Sequence, residues 1–323
     1  MNRPLQIIII VLCVQFIVNP FKGFAQGCSD AGFCTMGAMK PNQPFNKKVN
    51  LKLRSVELSY YLGLNKIGDV ITSYTADINI GLSPKYTVQF KVPYMLVFTK
   101  LGNTNGVGDL SVSASRNLIA KEKYQLNLSV GAKIPTNKSN LKTDSGLPLP
   151  SYSQTSLGTY DAIAGISLIT KRWLIATGYQ QPLTANGNEF VWGPWNKTID
   201  SSIAREYPVS KGLKRGNDVM LRIERNFRLS RFNSHLGLLG IYRIKEDEFT
   251  PPKSTTYVKK DETIGLIVSG IIGMGYNLTA HSGIKLIIGA RVYRGRYENI
   301  PHHLSLDGLS REFVSTIGYE FRF

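Results

Sequence analysis

Past residue 25 the 323-residue sequence holds no uncharged apolar run of the ~18–20 residues that a membrane-crossing helix requires. The longest candidate, Ile264 to Leu278, is broken by Gly265, Gly270, Gly273 and Gly275, so a bundle of membrane helices is excluded. Proline is sparse at 15 residues, and with 10% aromatic and 42% hydrophobic residues bulk disorder is excluded as well. Acidic residues are the minority charge, 22 against 39 Lys+Arg, for a formal +17. No phosphate-cradling loop, zinc-ligand spacing or nucleic-acid module is present, so the basic excess does not point to nucleotides or nucleic acid. Overall hydropathy is close to zero, so residence in a membrane would have to be as strands.

The chain begins with Arg3, an apolar stretch from Leu5 to Val18, and small residues around Gly23-Phe24-Ala25, the order of a secretory signal peptide over residues 1–25. Acylation of Cys28 and a short anchoring helix are the alternatives. Cleavage after Ala25 removes Arg3 and Lys22, so the net charge falls from +17 by two, to +15. Cys13 leaves with the signal. Cys28 and Cys34 remain in an oxidising compartment, where a disulfide is expected. A soft-metal site of Cys28, Cys34, Met36 and Met39 is the sharper alternative. Residues 26–46, with Pro41 and Pro44, are long enough to fold back as a plug or to hang free as a tail.

Beyond Asn46 the dominant signal is period-two alternation, the mark of strands with two unlike faces. Tyr86, Val88, Phe90, Val92, Tyr94, Leu96 and Phe98 form one apolar row. Tyr124, Leu126, Leu128, Val130, Ala132 and Ile134 form another, and Ile284, Leu286, Ile288, Ala290 and Val292 a third. The alternation predicts twelve strands, near 51–61, 72–82, 86–98, 108–119, 124–134, 160–169, 173–180, 217–228, 232–243, 262–278, 283–293 and 311–323. Ser83-Pro84-Lys85, Ala120 to Lys123, Thr170-Lys171-Arg172, Leu229-Ser230-Arg231 and Thr279 to Ser282 are short connections. They alternate with longer ones at 99–107, 135–159, 181–216, 244–261 and 294–310.

A soluble sandwich has no reason to sort its loops by length onto opposite ends. A closed antiparallel up-and-down transmembrane β-barrel does, with short periplasmic turns, long outer loops and an even strand number. Residues 47–323 are therefore expected to form such an all-β barrel in the outer membrane of a Gram-negative bacterium. Its partners would be membrane lipid and lipopolysaccharide, with the alternating C-terminal strand ending in Phe323 presented to the barrel-assembly machinery. Aromatics gather at strand ends as interface girdles require: Tyr86, Tyr124, Trp173, Phe227 and Phe232 on one side, Phe98, Tyr179, Tyr242, Tyr293 and Phe313 on the other.

If the apolar rows face lipid, Lys91, Lys133, Arg222, Glu224, Lys285 and Arg291 line the lumen, along with Asp77, Gln89, Asp109, Gln125 and Asn127. Such a lining either attracts anions or neutralises itself by pairing, as Arg222 or Arg291 could with Glu224. In the loop 181–216, Trp192 and Trp195 beside Lys197, Arg205 and Lys211 suit a sugar or lipopolysaccharide contact, or else a cluster that holds the loop down.

Three short motifs carry a family resemblance. Gly106-Val107-Gly108-Asp109-Leu110, then Gly131-Ala132-Lys133-Ile134-Pro135-Thr136, then Leu157-Gly158-Thr159-Tyr160-Asp161 follow in order. Over residues 70–180 the chain resembles the outer-membrane transporter family of the meta-pathway of phenol degradation, itself distantly like long-chain fatty-acid transporters. The resemblance implies a barrel that passes small hydrophobic compounds, with Gly108, Asp109, Pro135, Thr136 and Asp161 in structural roles. The Cys28–Cys34 segment is not part of that pattern. Passage of a small hydrophobic or anionic molecule is thus the expected function; a structural or adhesive barrel, or a metal- or redox-linked one, is the alternative. No cofactor is expected. His281-Ser282-Gly283 is similar to the motif of the outer-membrane phospholipase, but adjacent turn residues point apart and lie at the wrong end for outer-leaflet lipid. His302-His303 reads as a solvated loop, and the chain is expected not to be an enzyme.

Overall fold

The computed structural model describes residues 36–40, 52–65, 67–260, 263–295 and 311–323. The expected signal peptide, Cys28 and Cys34, the remainder of 26–46 and the pair His302-His303 lie outside the described residues. Fifteen strands follow in order among those described. They are β1 (Lys52–Leu64), β2 (Val70–Gly81), β3 (Tyr86–Thr99), β4 (Gly102–Val107), β5 (Leu110–Ala120), β6 (Tyr124–Ile134), β7 (Asp161–Thr170) and β8 (Trp173–Pro182). Then come β9 (Asp218–Leu229), β10 (Phe232–Arg243), β11 (Asp247–Phe249), β12 (Val258–Lys260), β13 (Gly265–Asn277), β14 (Ser282–Arg294) and β15 (Phe313–Arg322).

Antiparallel pairing runs from β1 through each neighbour to β15, and β15 pairs back with β1, from Ser55 opposite Arg322 to Leu64 opposite Phe313. The sheet closes on itself, the only form in which strands can satisfy their backbone groups in lipid, and of its strands only β4, at the outer end, pairs on one side alone. β4 and β5 pair successive stretches of β3 and together make one wall strand, so the barrel has twelve walls. Between the two stretches Val92 and Pro93 of β3 face Gly108, Asp109 and Leu110, one residue too many, which is a β-bulge. The Gly108 N–H donates to the Pro93 carbonyl at 2.8 Å. A Cβ at Gly108 would lie 2.8 Å from the Met95 sulfur, so a larger residue in the bulge would have to push the Met95 side chain aside.

Alternation follows from the two solvents. β8 runs strictly exposed and buried, with Trp173, Ile175 and Tyr179 outward and Leu174, Ala176 and Gln180 inward. Outward rows elsewhere present Leu58, Val130, Leu236 and Ile317 to lipid. At one end the strands are joined by 82–85, 121–123, 171–172, 230–231 and 278–281; Ser230 takes a positive φ of 55° in its tight turn. Both ends of the barrel sequence lie on this same side, where the Phe323 N–H donates to the Arg54 carbonyl at 3.1 Å.

Three connections differ from expectation. Residues 99–107, expected as an outer loop, are mostly strand β4, which extends the β3 hairpin and leaves only Lys100-Leu101 as its turn. Gly102, Asn103, Asn105 and Gly106 give no apolar row, because this hairpin tip stands in the wet region above the girdle, where neither face meets lipid. Within 244–264 the short hairpin β11–β12 folds for the same reason without an apolar period. The first outer connection is also tighter than expected, at 65–69.

Candidate functional site: the lumen and its outer cap

The inward face of the barrel is divided between two kinds of wall. On β2, β3, β5 and β6 it is polar: Ser73, Thr75, Asp77, Gln89, Ser111, Ser113, Gln125, Ser129 and Lys133 are all buried. Across from it, among buried polar residues such as Ser167, Arg222, Glu224 and Ser269, the side chains of Ile169, Leu174, Ala176, Met220, Leu239 and Ile271 form one apolar cluster, with Ile163, Ile241 and Ile287 packed at its margin. These residues occupy the inward register of β7 to β10, β13 and β14, so their side chains meet the lumen and not lipid.

Residues 36–40 lie between the walls. Ala38 and Met39 are buried, and Met39 joins the apolar cluster. The Gly37 N–H donates to Gln89 Oε1 at 3.0 Å, and the Ala38 N–H to Ser129 Oγ at 2.9 Å. Lys40 Nζ donates to Asp77 Oδ2 at 3.1 Å and lies 3.9 Å from Glu57 Oε2. Gly37 adopts φ 48°, and a Cβ there would fall 2.8 Å from Ser129. Glycine therefore lets the segment press onto the β6 wall while Lys40 reaches β1 and β2. Met39 packs against aliphatic side chains; Cys28 and Cys34, its suggested fellow metal ligands, lie outside the described residues.

The cations expected along the lumen are paired. Lys133, only 1% exposed, sits 3.4 Å from Asp109 and 3.2 Å from Asp161. Arg222 Nη1 meets Glu224 Oε1 at 2.8 Å, and Arg291 meets Glu312 at 2.6 Å. Lys285 lies 3.1 Å from both Glu57 and Glu320. Lys91 stands in register opposite Asp77. Desolvation of so many charges is tolerable only because each meets an opposite charge or hydrogen-bond partner.

The family-motif residues converge at the outer end of the lumen. The Thr136 hydroxyl donates to the Gly108 carbonyl, which ties the start of the long 135–160 connection to the bulge; Pro135 directly follows the last residue of β6. Asp109 accepts from the Ser156 hydroxyl and the Leu157 N–H. Asp161 accepts from Thr159, Gln180 and Arg215. Lys133 thus stands between two carboxylates that also fasten the outer loops.

Those loops fold into a cap with its own apolar cluster of Leu101, Leu149, Tyr152, Phe190, Trp195, Ala204 and Tyr207. Trp195 is 2% exposed and donates its indole N–H to the Pro148 carbonyl at 3.1 Å; the Trp192 indole donates to the Tyr207 carbonyl at 2.8 Å. The tryptophans therefore hold the loop down, and Trp195 has no free face to offer a ligand. Asp69 was invisible as a participant in the sequence, since it stands 138 positions from its partner. Its carboxylate accepts from the Tyr207 hydroxyl at 2.7 Å and from Asn65 at 2.7 Å, which latches the first outer connection to the fourth.

Burial holds the Asp69 carboxyl above the usual carboxylate range, against the hydrogen bonds from Tyr207 and Asn65, which act the other way. A raised folded-state value means that stability is fully present below the ordinary pKa and is lost as pH rises through the raised one. The cap is therefore expected to exchange backbone hydrogen more slowly, after intrinsic-rate correction, in acid near the ordinary Asp pKa of about 4 than at neutrality. Asp69→Asn is expected to abolish that difference. Tyr207→Phe removes a hydrogen bond to a carboxylate, with an expected cost of ~1.5–3 kcal/mol to the cap.

The histidines do not form a nucleophile system among the described residues. His281 lies at a short turn with Nδ1 3.1 Å from the Arg322 carbonyl, and its neighbour Ser282 bonds Thr279. His235 is buried in the lumen, where its ring would collide with any Cβ at Gly273.

The closed twelve-walled sheet with its lined lumen is the architecture of an outer-membrane β-barrel. The chain is similar to the COG4313 outer membrane channel from Pseudomonas putida F1, with a TM-score of 0.56 over 87% of this chain and 99% of that one, at 13% identity. At that identity the likeness shows the fold, and the expected kinship with outer-membrane transporter barrels holds at that level. The CymD monoaromatic hydrocarbon channel is a more distant match, at TM-score 0.40 and 8% identity over 93% of this chain and 94% of that one. No protein-family model matches the chain, and no curated protein shows significant sequence similarity to it. The expectation that the chain is not an enzyme is corrected. Outer membrane phospholipase A from Escherichia coli is also among the matched barrels, at TM-score 0.36 and 10% identity over 85% of this chain and 99% of that one.

Proposed function

We propose that this chain is an outer-membrane channel for a small molecule of low polarity, with residues 36–40 acting as a plug in its lumen. The observation that carries the reading is the apolar inner wall of Ile169, Leu174, Met220, Leu239 and Ile271, an unusual lining for a pore that serves ions alone. An anionic substrate has less support, because Lys133, Arg222, Lys285 and Arg291 each face a carboxylate at 3.4 Å or less. Export through residues 1–25, a Cys28–Cys34 disulfide and lipopolysaccharide around the outer girdle belong to the same proposal. The mature chain is then expected to begin at Gln26 and to titrate no free thiol without reductant.

Proteoliposome uptake tests the substrate class, with toluene and benzoate as probes of equal girth. With empty vesicles subtracted, the barrel is expected to accelerate toluene entry more than that of benzoate. Faster benzoate entry, or no acceleration of either with the plug removed, would overturn the reading.

A further inference from the structure

We propose that the short-turn rim of the barrel is a binding belt for the phosphate headgroups of anionic phospholipids in the inner leaflet of the outer membrane. The inference goes beyond the channel reading and rests only on the barrel and its orientation.

The rim is strongly and unevenly charged. Four of its five turns carry exposed cations: Lys85, then Lys121 and Lys123, then Lys171 and Arg172, then Arg231. Arg116, Arg225 and Arg228 at the adjoining strand ends are exposed too. Glu122 is the single exposed acidic residue at this end among those described, so nine cationic side chains stand against one acidic side chain. The fifth turn, Leu278 to His281, carries no Lys or Arg, and the nine exposed cations lie along the arc from β2 to β10. The opposite end of the molecule is unlike this: its cap mixes signs in surface pairs such as Lys100 with Glu206 and Lys142 with Glu189.

The depth of the cations is set by the aromatic girdle. The Arg116 guanidinium lies over the Tyr86 ring at 5.5 Å, and Lys121 Nζ over Tyr124 at 5.8 Å. The Arg225 guanidinium lies 5.5 Å from the Trp173 ring and 5.4 Å from that of Phe227. Girdle rings sit at headgroup level, so these charges are held at the bilayer boundary and not out in the periplasm. A guanidinium whose face rests on a ring still presents its N–H edge, the geometry that grips a phosphate with two hydrogen bonds. With neighbouring turns two strands, or about 10 Å, apart, each cation lies within about a Debye length of the next, and the row favours net-negative headgroups over zwitterionic ones, whose own ammonium is repelled. An acidic periplasmic protein would need cations standing clear of the membrane, which the stacked ones do not.

Native mass spectrometry of the mature barrel, offered equimolar phosphatidylglycerol and phosphatidylcholine of identical chains, tests the proposal. At ~fivefold per engaged cation, phosphatidylglycerol is expected to be retained at least ~tenfold over phosphatidylcholine. Arg116→Gln/Lys121→Gln/Arg225→Gln is expected to lower the ratio at least several-fold, whereas Lys142→Gln/Lys211→Gln on the cap leaves it unchanged. Should the triple variant fail to fold, Lys171→Gln/Arg172→Gln, on a turn away from the ring contacts, is expected to lower the ratio several-fold. Equal retention of the two lipids by the native protein, or a preference that survives the rim substitutions, overturns the belt.

Discussion

A mature barrel lacking residues 26–46 is expected to conduct steadily in planar bilayers, at least ~tenfold above the intact mature chain, because the deletion empties the lumen. The interior of a twelve-stranded barrel is narrow enough for a few side chains to block it. Here Met39 fills space against the apolar wall while Gly37 and Ala38 spend their N–H groups on Gln89 and Ser129 of the polar one. Lys40 completes the crossing on Asp77, so the segment engages both sides of the pore at once. A deletion could act by loosening the barrel, and Gly165→Leu separates the two effects. Gly165 lies on β7 where even a Cβ would come 3.2 Å from both Ala38 and the Thr177 carbonyl of β8, so a leucine is expected to push the segment aside with every residue of it still present, while unchanged heat-modifiable mobility on gels shows that the walls have kept their pairing. Lys40→Met is expected to give brief, incomplete openings, since it removes the ionic latch and leaves the packing of Met39. Equal conductance from the intact and truncated chains would remove the plug from the account while leaving the barrel standing.

The wall strands were readable because each residue of a barrel strand meets one of two solvents, and the sequence must alternate to satisfy both. Where that contrast ends, legibility ends with it. β4 carries Asn103 and Asn105 beside glycines because its tip is wet on both faces, and it reads as loop. The motif residues Asp109, Lys133 and Asp161 were recognisable one by one, yet only the register of β5, β6 and β7 brings the two carboxylates to one ammonium. The apolar inner wall was hidden for a related reason. Ile169 and Leu174 flank a short turn, and an aliphatic residue looks the same in sequence whether it faces lipid or lumen. The cap rests on contacts such as Phe190 with Trp195 and Asp69 with Tyr207, made between loops whose sequences carry no period. Residues 36–40 repeat nothing, and their partners are as far along the chain as Ser129, so nothing local marked them as lumenal.

Lys133→Met is expected to destabilise the barrel by ~3–5 kcal/mol, the usual cost of removing one partner from a buried ion cluster. The substitution keeps most of the side-chain volume and deletes the ammonium that lies 3.4 Å from Asp109 and 3.2 Å from Asp161. Both carboxylates are nearly enclosed, with side chains 7% and 0% exposed, and they are left facing each other with one cation fewer. Urea unfolding in lipid vesicles, followed by tryptophan fluorescence, measures the loss; a cost under ~1 kcal/mol would place the site in high dielectric and undo the account. The sign of the effect is tested further by removing charge from the other side. Lys133→Met/Asp109→Asn restores the balance and is expected to recover more than half of the loss, a coupling that independent sites do not show. Lys133→Met/Asp161→Asn is expected to recover less, because Asp161 also meets Arg215 at 2.6 Å and its neutralisation strands a second cation. The same cluster fastens Ser156 and Leu157 to Asp109, so the less stable variants are expected to lose order in the 135–160 connection before the walls unfold. The outer cap would then be coupled to the barrel through one lysine, and loosening of the mouth would track the loss of stability from variant to variant.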